Sequence, residues 1–248
     1  MPLKVVLLGG TRGIGRAVAR RLAERGDRVH LLGRDADELA RCAADLQART
    51  PGGTAVTTSL CDLERPESFE EAIESASAAL GGFDTAVVTA GMFAAQPQLE
   101  ADRAFTQRML TVNFANTVLL CEHLRTYLLS RGGGTLCVFS SVAGDRGRKP
   151  VVLYGAAKAG LSAYLEGLDH KFRSSGLKTI CVKPGFVRTG MTEGLPEPPF
   201  AADPDQVAAS AVKAIDRGTP VVYAPPIWAL VMLVIRWLPR AVMRRVGF

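Results

Sequence analysis

A doubly wound α/β fold, a parallel sheet with helices on both faces, is what the order of hydrophobic runs predicts for this chain. Short apolar runs that suit buried strands alternate with longer runs of helical spacing, and a glycine-rich turn directly follows the first strand. Neither an internal repeat nor a flexible linker interrupts the alternation, so most of the 248 residues read as one domain with a substantial core.

Taken in order, residues 3–8 make the first strand and 14–24 the first helix, with Gly26 placed to end it. Further strands are expected at 28–32, 56–60, 85–89, 135–139, 179–182 and 221–223, and further helices at 37–47, 67–80, 103–130 and 154–173. Before the last strand, Asp203 can cap a helix with Pro204 at its first position and Gln206 completing a capping box. The sheet is then complete at Tyr223. Residues 1–225 read as the globular domain and 226–248 as a C-terminal amphipathic, basic tail.

Composition narrows the function. A hydrophobic fraction of 48% with 22% charged residues excludes wholesale disorder. Cys42, Cys61, Cys121, Cys137 and Cys181 are scattered, without CxxC or Cys/His spacing, so no metal site is expected and the thiols read as reduced. The formal charge of +6 is concentrated in Arg217, Arg236, Arg240, Arg244 and Arg245, beyond the last acidic residue, Asp216. Without them the chain is close to neutral, at about +1, which argues against a nucleic-acid groove. The opening apolar stretch, with only Lys4 charged, is too short for a secretory signal, and no segment is long enough for an ordinary transmembrane helix. A cytoplasmic protein is expected, with the tail offering a peripheral contact to the cytoplasmic face of a membrane.

The turn after the first strand reads Gly9-Gly10-Thr11-Arg12-Gly13-Ile14-Gly15. In a parallel sheet the first strand-to-helix turn is where a pyrophosphate sits on a helix N-terminus, and glycine lets the backbone come close to it. Glycines also occur in tight turns that bind nothing; position at the first junction favours a Rossmann-type dinucleotide site. Arg12 and Arg34 supply the cations that an adenosine 2′-phosphate needs, which points to NADP(H). Asp35, next to Arg34, keeps NAD(H) as the alternative, and a merely solvated Arg34 is the bland reading.

The most informative string is Ser140-Ser141, at the end of a strand, followed by Tyr154-Gly155-Ala156-Ala157-Lys158. Tyr154 and Lys158 are four apart and share a helix face. With the glycine turn, these residues make the chain resemble the short-chain dehydrogenase/reductase family over nearly its whole length. Cys61-Asp62-Leu63, Thr89-Ala90-Gly91, Asn113 and Pro184-Gly185-Phe186-Val187-Arg188-Thr189 extend the match.

The resemblance implies a carbonyl reductase. Tyr154 would be the general acid, its pKa of about 10 lowered by the Lys158 cation and by oxidised nicotinamide. Lys158 would also hold the nicotinamide ribose, and Ser141, rather than Ser140, would orient the carbonyl. Asn113 would kink its helix and hold a proton-relaying water. The cofactor would lie along Gly9, Thr11, Arg12, Gly13, Ile14, Gly15 and Arg34. Asp62 and Leu63 would meet adenine, Ala90, Gly91, Pro184, Gly185 and Val187 would line the path, and Thr189 would meet the carboxamide. Three positions depart from the family pattern: Leu8 stands for a threonine, and Val88-Thr89 for an Asn-Asn pair whose asparagine braces the central strand.

On a helical wheel of the tail, Val231, Ile235, Leu238, Val242 and Val246 fall on one side and Arg236, Arg240 and Arg244 on the other. Residues 227–246 therefore suit a helix lying in a membrane interface, with Trp228 and Trp237 at headgroup depth. The competing role is a homo-oligomer interface. Met191, Leu195 and Phe200 make the loop after Gly185 an apolar lid. Lid and tail together point to a long-chain or lipid-linked carbonyl substrate. Tyr223-Ala224-Pro225 and Leu238-Pro239-Arg240 resemble one subgroup, the decaprenylphosphoryl-2-keto-ribose reductases. The alternatives are 3-ketosphinganine or 3-oxoacyl reduction and, in a different class, a non-catalytic NADP(H)-binding membrane scaffold or sensor.

Overall fold

The computed structural model describes residues 1–245. Its strands are β1 (Lys4–Leu8), β2 (Arg28–Gly33), β3 (Thr57–Leu60), β4 (Thr85–Val88), β5 (Gly134–Phe139), β6 (Leu177–Pro184) and β7 (Val221–Ala224). All pair in parallel in the order β3-β2-β1-β4-β5-β6-β7, so the strand order reverses between β1 and β4.

Successive side chains of a strand point to opposite faces, and β1 shows the result. Val5 and Leu7 enter one core with α1 (Gly13–Glu24), α2 (Ala36–Arg49) and α8 (Pro204–Arg217). Val6 and Leu8 enter the other with α3 (Phe69–Leu80), α6 (Asn116–Ser130) and α7 (Val152–Phe172). The glycine stop after α1 is present: Gly26 lies at φ +89° and its N–H reaches Ala23 O. At α8, Gln206 Oε1 accepts the Asp203 N–H at 3.0 Å, while the Asp203 carboxylate is held by Arg188.

Three expectations are corrected. The helix expected over 103–130 is α5 (Arg103–Leu110), a five-residue π-turn (Thr111–Ala115) and α6. The wider turn contains Asn113, whose side chain is tied across to Met92. Before it lies α4 (Gln96–Ala101), whose Pro97-containing start gives little helical periodicity to read.

The tail is corrected too. Pro239 divides it into α9 (Ile227–Trp237) and α10 (Arg240–Arg245), so no single wheel applies. The face of α9 bearing Trp228, Met232 and Ile235 is buried against Val142 and Tyr223 of the domain. Burying side chains of this size contributes on the order of 1.5–3 kcal/mol each, which holds α9 in place. Trp228 is therefore inside and only Trp237, 81% exposed, faces out. The outward apolar set is Ile227, Leu230, Leu233, Val234 and Trp237, and Val246 lies outside the described residues.

Candidate active site

The carboxyl end of β1 runs into the glycine turn at the point where the strand order reverses, the usual crevice for a ligand in such a sheet. Gly9 adopts φ +92°, and a Cβ on it would come 2.6 Å from Thr89 Oγ1. At Gly15 a Cβ would fall 2.1 Å from the Gly9 carbonyl oxygen, so neither position admits a side chain. Gly13 faces Thr189 from the loop after β6, 3.3 Å from where its Cβ would be. The result is a side-chain-free cradle at the N-terminus of α1, where backbone N–H groups lack helical partners. That fits a dinucleotide pyrophosphate. Ile14 packs on the core beside it, and the Thr11 carbonyl accepts from Cys42 Sγ.

The strand is braced here even without the Asn-Asn pair, through Thr89. Its hydroxyl donates to Leu8 O at 3.0 Å, tying the end of β4 to β1.

Arg12 and Arg34 stand at the mouths of neighbouring strands, with side chains 78% and 66% exposed. Each reaches only a carboxylate already held more closely by another arginine. Arg34 lies 3.5 Å from Glu64, which Arg108 grips through two bonds of 2.7 Å. Arg12 lies 3.5 Å from Glu38, which pairs with Arg41. Asp35 is committed elsewhere, its carboxylate accepting the Glu38 N–H at 3.0 Å as the N-cap of α2.

At the other end of the crevice, Ser141 follows β5 and lies over α7. Its Oγ accepts the Ala143 N–H at 3.1 Å, fixing the hydroxyl in the turn. Ser140 is structural: its hydroxyl donates to the Lys158 carbonyl at 2.9 Å and meets Ser162 at 2.7 Å. The loop and helix touch through backbone. A Cβ at Gly144 would lie 2.6 Å from the Lys158 carbonyl carbon, and one at Gly155 would lie 2.8 Å from Ala143 O.

Lys158 is 5% exposed and its Nζ donates to Phe139 O at 2.9 Å. The ammonium lies 5.9 Å from the centroid of the Tyr154 ring, which also meets the edge of Phe93 at 5.1 Å. Burial pushes the Tyr154 phenol up to about 12, with the Ser141 hydroxyl pulling the other way. Burial lowers Lys158 to about 8. Removal from water outweighs the other influences of the protein on both groups, and the charge of oxidised nicotinamide, the other part of the expected lowering, would act in addition to these.

Asn113 is buried beside them. Its amide exchanges two 2.7 Å bonds with the Met92 backbone, and Gly91 leaves the space between Asn113 Oδ1 and Lys158 Nζ. Ala90 packs at the edge of the core under this turn. Leu63 puts its side chain into the core and its carbonyl accepts from Asn116, leaving only backbone to face a ligand. Asp62 is half-buried, its carboxylate accepting the Glu64 N–H. Pro184 ends β6, Gly185 donates its N–H to Ala224 O, and Val187 is buried and bridged to Ala202. Thr189 N–H is taken by Thr192 Oγ1.

Two features were not legible beforehand. Asp145, in the loop after Ser141, accepts from Lys183 Nζ and from the Tyr223 hydroxyl, both at 2.6 Å, which pins this loop to β6 and β7. The second is Trp228 of α9, whose indole lies on Gly185. The near absence of polar residues in α9 was the available signal, since a helix apolar all round is ordinarily buried on part of its surface.

Sheet order, glycine cradle and side-chain cluster together define a dinucleotide-dependent α/β enzyme. Residues 4–199 match the short chain dehydrogenase family, and the chain belongs to that family. It is therefore an oxidoreductase of a family that binds a nicotinamide cofactor. An uncharacterised oxidoreductase of Mycobacterium tuberculosis is 38% identical over 243 residues, covering 97% of this chain and 96% of that one. Carbonyl reductase family member 4 of Danio rerio is 32% identical over 77% of this chain and 78% of its own. Among solved structures, an actinorhodin polyketide ketoreductase variant with NADPH superposes with TM-score 0.79 at 21% identity, covering 90% of this chain and 97% of that one. At that identity the superposition speaks to the fold.

Proposed function

We propose that the protein is an NADPH-dependent reductase of a ketone to a secondary alcohol. The observation that carries this reading is the convergence of Ser141, Tyr154 and Lys158 at one end of a crevice whose other end is a side-chain-free cradle flanked by two weakly held arginines. Bound NADPH supplies the hydride. The Ser141 hydroxyl donates to the carbonyl oxygen, and Tyr154 gives that oxygen its proton as charge develops there. With its phenol near 12, Tyr154 is protonated at neutral pH, the form reduction needs. Lys158 holds the ribose hydroxyls and places positive charge beside the phenol. The amide of Asn113 is committed to Met92, so a relaying water there meets its backbone at the π-turn.

Arg34 and Arg12 hold the 2′-phosphate. The N-cap role of Asp35 supports NADP(H) over NAD(H), because that carboxylate has a partner and the arginines have capacity. The pyrophosphate lies on Gly9, Gly13 and Gly15, with Thr11 and Ile14 at its side. Asp62 and the Leu63 backbone meet adenine. Ala90, Gly91, Pro184, Gly185, Val187 and Thr189 flank the nicotinamide half.

The substrate is a long-chain or lipid-linked ketone, with a keto sugar on a polyprenyl phosphate the favoured case. Support comes from the exposed lid residues Met191, Leu195 and Phe200 and from the outward apolar face of α9. That face, with exposed Arg236, Arg240, Arg244 and Arg245 beside it, fits an anionic membrane surface. No helix among the described residues is long and apolar enough to cross a membrane. A homo-oligomer suits the exposed Phe114 and Leu119 near α6.

Tyr154→Phe should lower NADPH-dependent ketone reduction by about a hundred- to ten-thousandfold, with NADPH affinity nearly unchanged. Retained turnover would remove Tyr154 as the acid. Arg34→Ala should cost roughly ten- to a hundredfold in NADPH affinity and leave NADH alone; equal losses would make the arginine structural. On vesicles rich in phosphatidylserine, replacing Arg236, Arg240 and Arg244 by Gln should weaken sedimentation about fivefold per residue, more at low salt. An intact protein that ignores such vesicles, while Leu230→Asp splits an oligomer, would make α9 an assembly face.

A further inference from the structure

Trp228, on α9 of the tail, lies with its indole over Gly185 at the end of β6 and packs with Val142, the residue after Ser141.

Trp228 is 8% exposed, and its Nε1 is fully buried with no hydrogen-bond partner among the described residues. Leaving a donor buried without an acceptor costs roughly 1–3 kcal/mol, so such a group marks a strained position, a water site or a place where a ligand completes the bond. Its location favours a ligand. A Cβ on Gly185 would lie 2.0 Å from Nε1, so the indole occupies the space that any side chain at Gly185 would fill. Gly185 directly follows β6, at the carboxyl end of the sheet where ligands bind. Trp228 packs in the same cluster as Val142, the residue after Ser141. On the lid side, Phe200 meets the indole at right angles with ring centroids 6.5 Å apart. Gly185 is pinned by its bond to Ala224, whereas Phe200 is half-exposed in the lid at φ +64°. Phe200 is the neighbour able to yield and let an acceptor reach Nε1.

We infer that Trp228 is a substrate-binding residue whose indole N–H takes a second oxygen of the substrate, so that the enzyme selects ketones carrying a further acceptor oxygen over plain alkyl ketones. This rests on the ketone-reductase reading. Ser141 and Tyr154 serve the reacting carbonyl, and the Trp228 N–H meets an oxygen that does not react. Selection follows because a plain ketone leaves that donor unpaired in the complex, while an oxygenated one satisfies it. The inference also gives the tail a role in the site: removing α9 removes a wall of the substrate pocket.

The test compares a 3-oxo ester with a 2-alkanone of equal chain length, in a Trp237→Phe parent that keeps Trp228 as the sole tryptophan. Trp228→Phe keeps an aromatic ring and removes the N–H. It should lower kcat/KM for the 3-oxo ester by about three- to tenfold, mainly through KM, and leave the 2-alkanone within about twofold. NADPH affinity should not move. Equal losses on both ketones would make Trp228 a packing residue, no loss on either would remove the bond, and weakened NADPH binding would assign the N–H to the cofactor. Each of these overturns the inference. Should the parent reduce neither ketone, the reductase reading fails separately. Trp228 emission in the NADP+-loaded parent then decides: quenching by the 3-oxo ester well beyond that by the 2-alkanone supports the inference, and equal or absent quenching overturns it.

Discussion

The close approach of the β5–α7 loop to the backbone of α7 is the constraint from which the rest of the site follows. Gly144 and Gly155 let carbonyl and helix come together where a methyl group would not fit, and Ser140 bonds the Lys158 carbonyl across the contact. With the two backbones held, Ser141 from one and Tyr154 and Lys158 from the other arrive together. Asp145, braced by Lys183 and Tyr223, anchors the far side of the same loop. A buried ion pair of this kind is a means of fixing geometry more than a source of stability.

The same economy of side chains governs the cofactor end. Gly9, Gly13 and Gly15 clear a path along the sheet, and Thr89 ties β4 to β1 under it. Two regions of opposite character result. At the glycine end the polar groups are backbone N–H donors and exposed guanidinium groups; at the catalytic end they are buried, with the phenol shifted upward and the ammonium downward by loss of water. On the proposed reading, substrate would meet a third surface, formed by the loop after β6 and by Trp228 of the tail.

What was legible in the sequence was what local spacing carries. Tyr154 and Lys158 four apart, the glycines after β1 and the continuous apolar run of β1 are all short-range patterns, and each appears in the structure. What was not legible depends on tertiary partners. Nothing local tells Trp228 that the bare backbone of Gly185 lies beneath it, so an apolar, arginine-flanked tail places it at headgroup depth instead. Nothing near Asp35 says that its carboxylate caps a helix instead of facing a ribose, because an Asp in that place suits both. The upward effect of burial on Tyr154 is likewise tertiary: charge proximity is readable from i, i+4 spacing while burial is not.

The most direct test of this account is the pH dependence of kcat/KM for NADPH at saturating ketone, which reports ionisations of the cofactor-free enzyme. Buried Lys158 titrates at about 8 and Tyr154 at about 12. As pH rises through 8, Lys158 loses the charge with which it would hold the ribose of the incoming cofactor, while Tyr154 keeps its proton. The account predicts a value that falls as pH rises through about 8. In Lys158→Arg, whose guanidinium stays charged, that limb should be absent. A value that stays level well above pH 8, or an unchanged limb in Lys158→Arg, would contradict it.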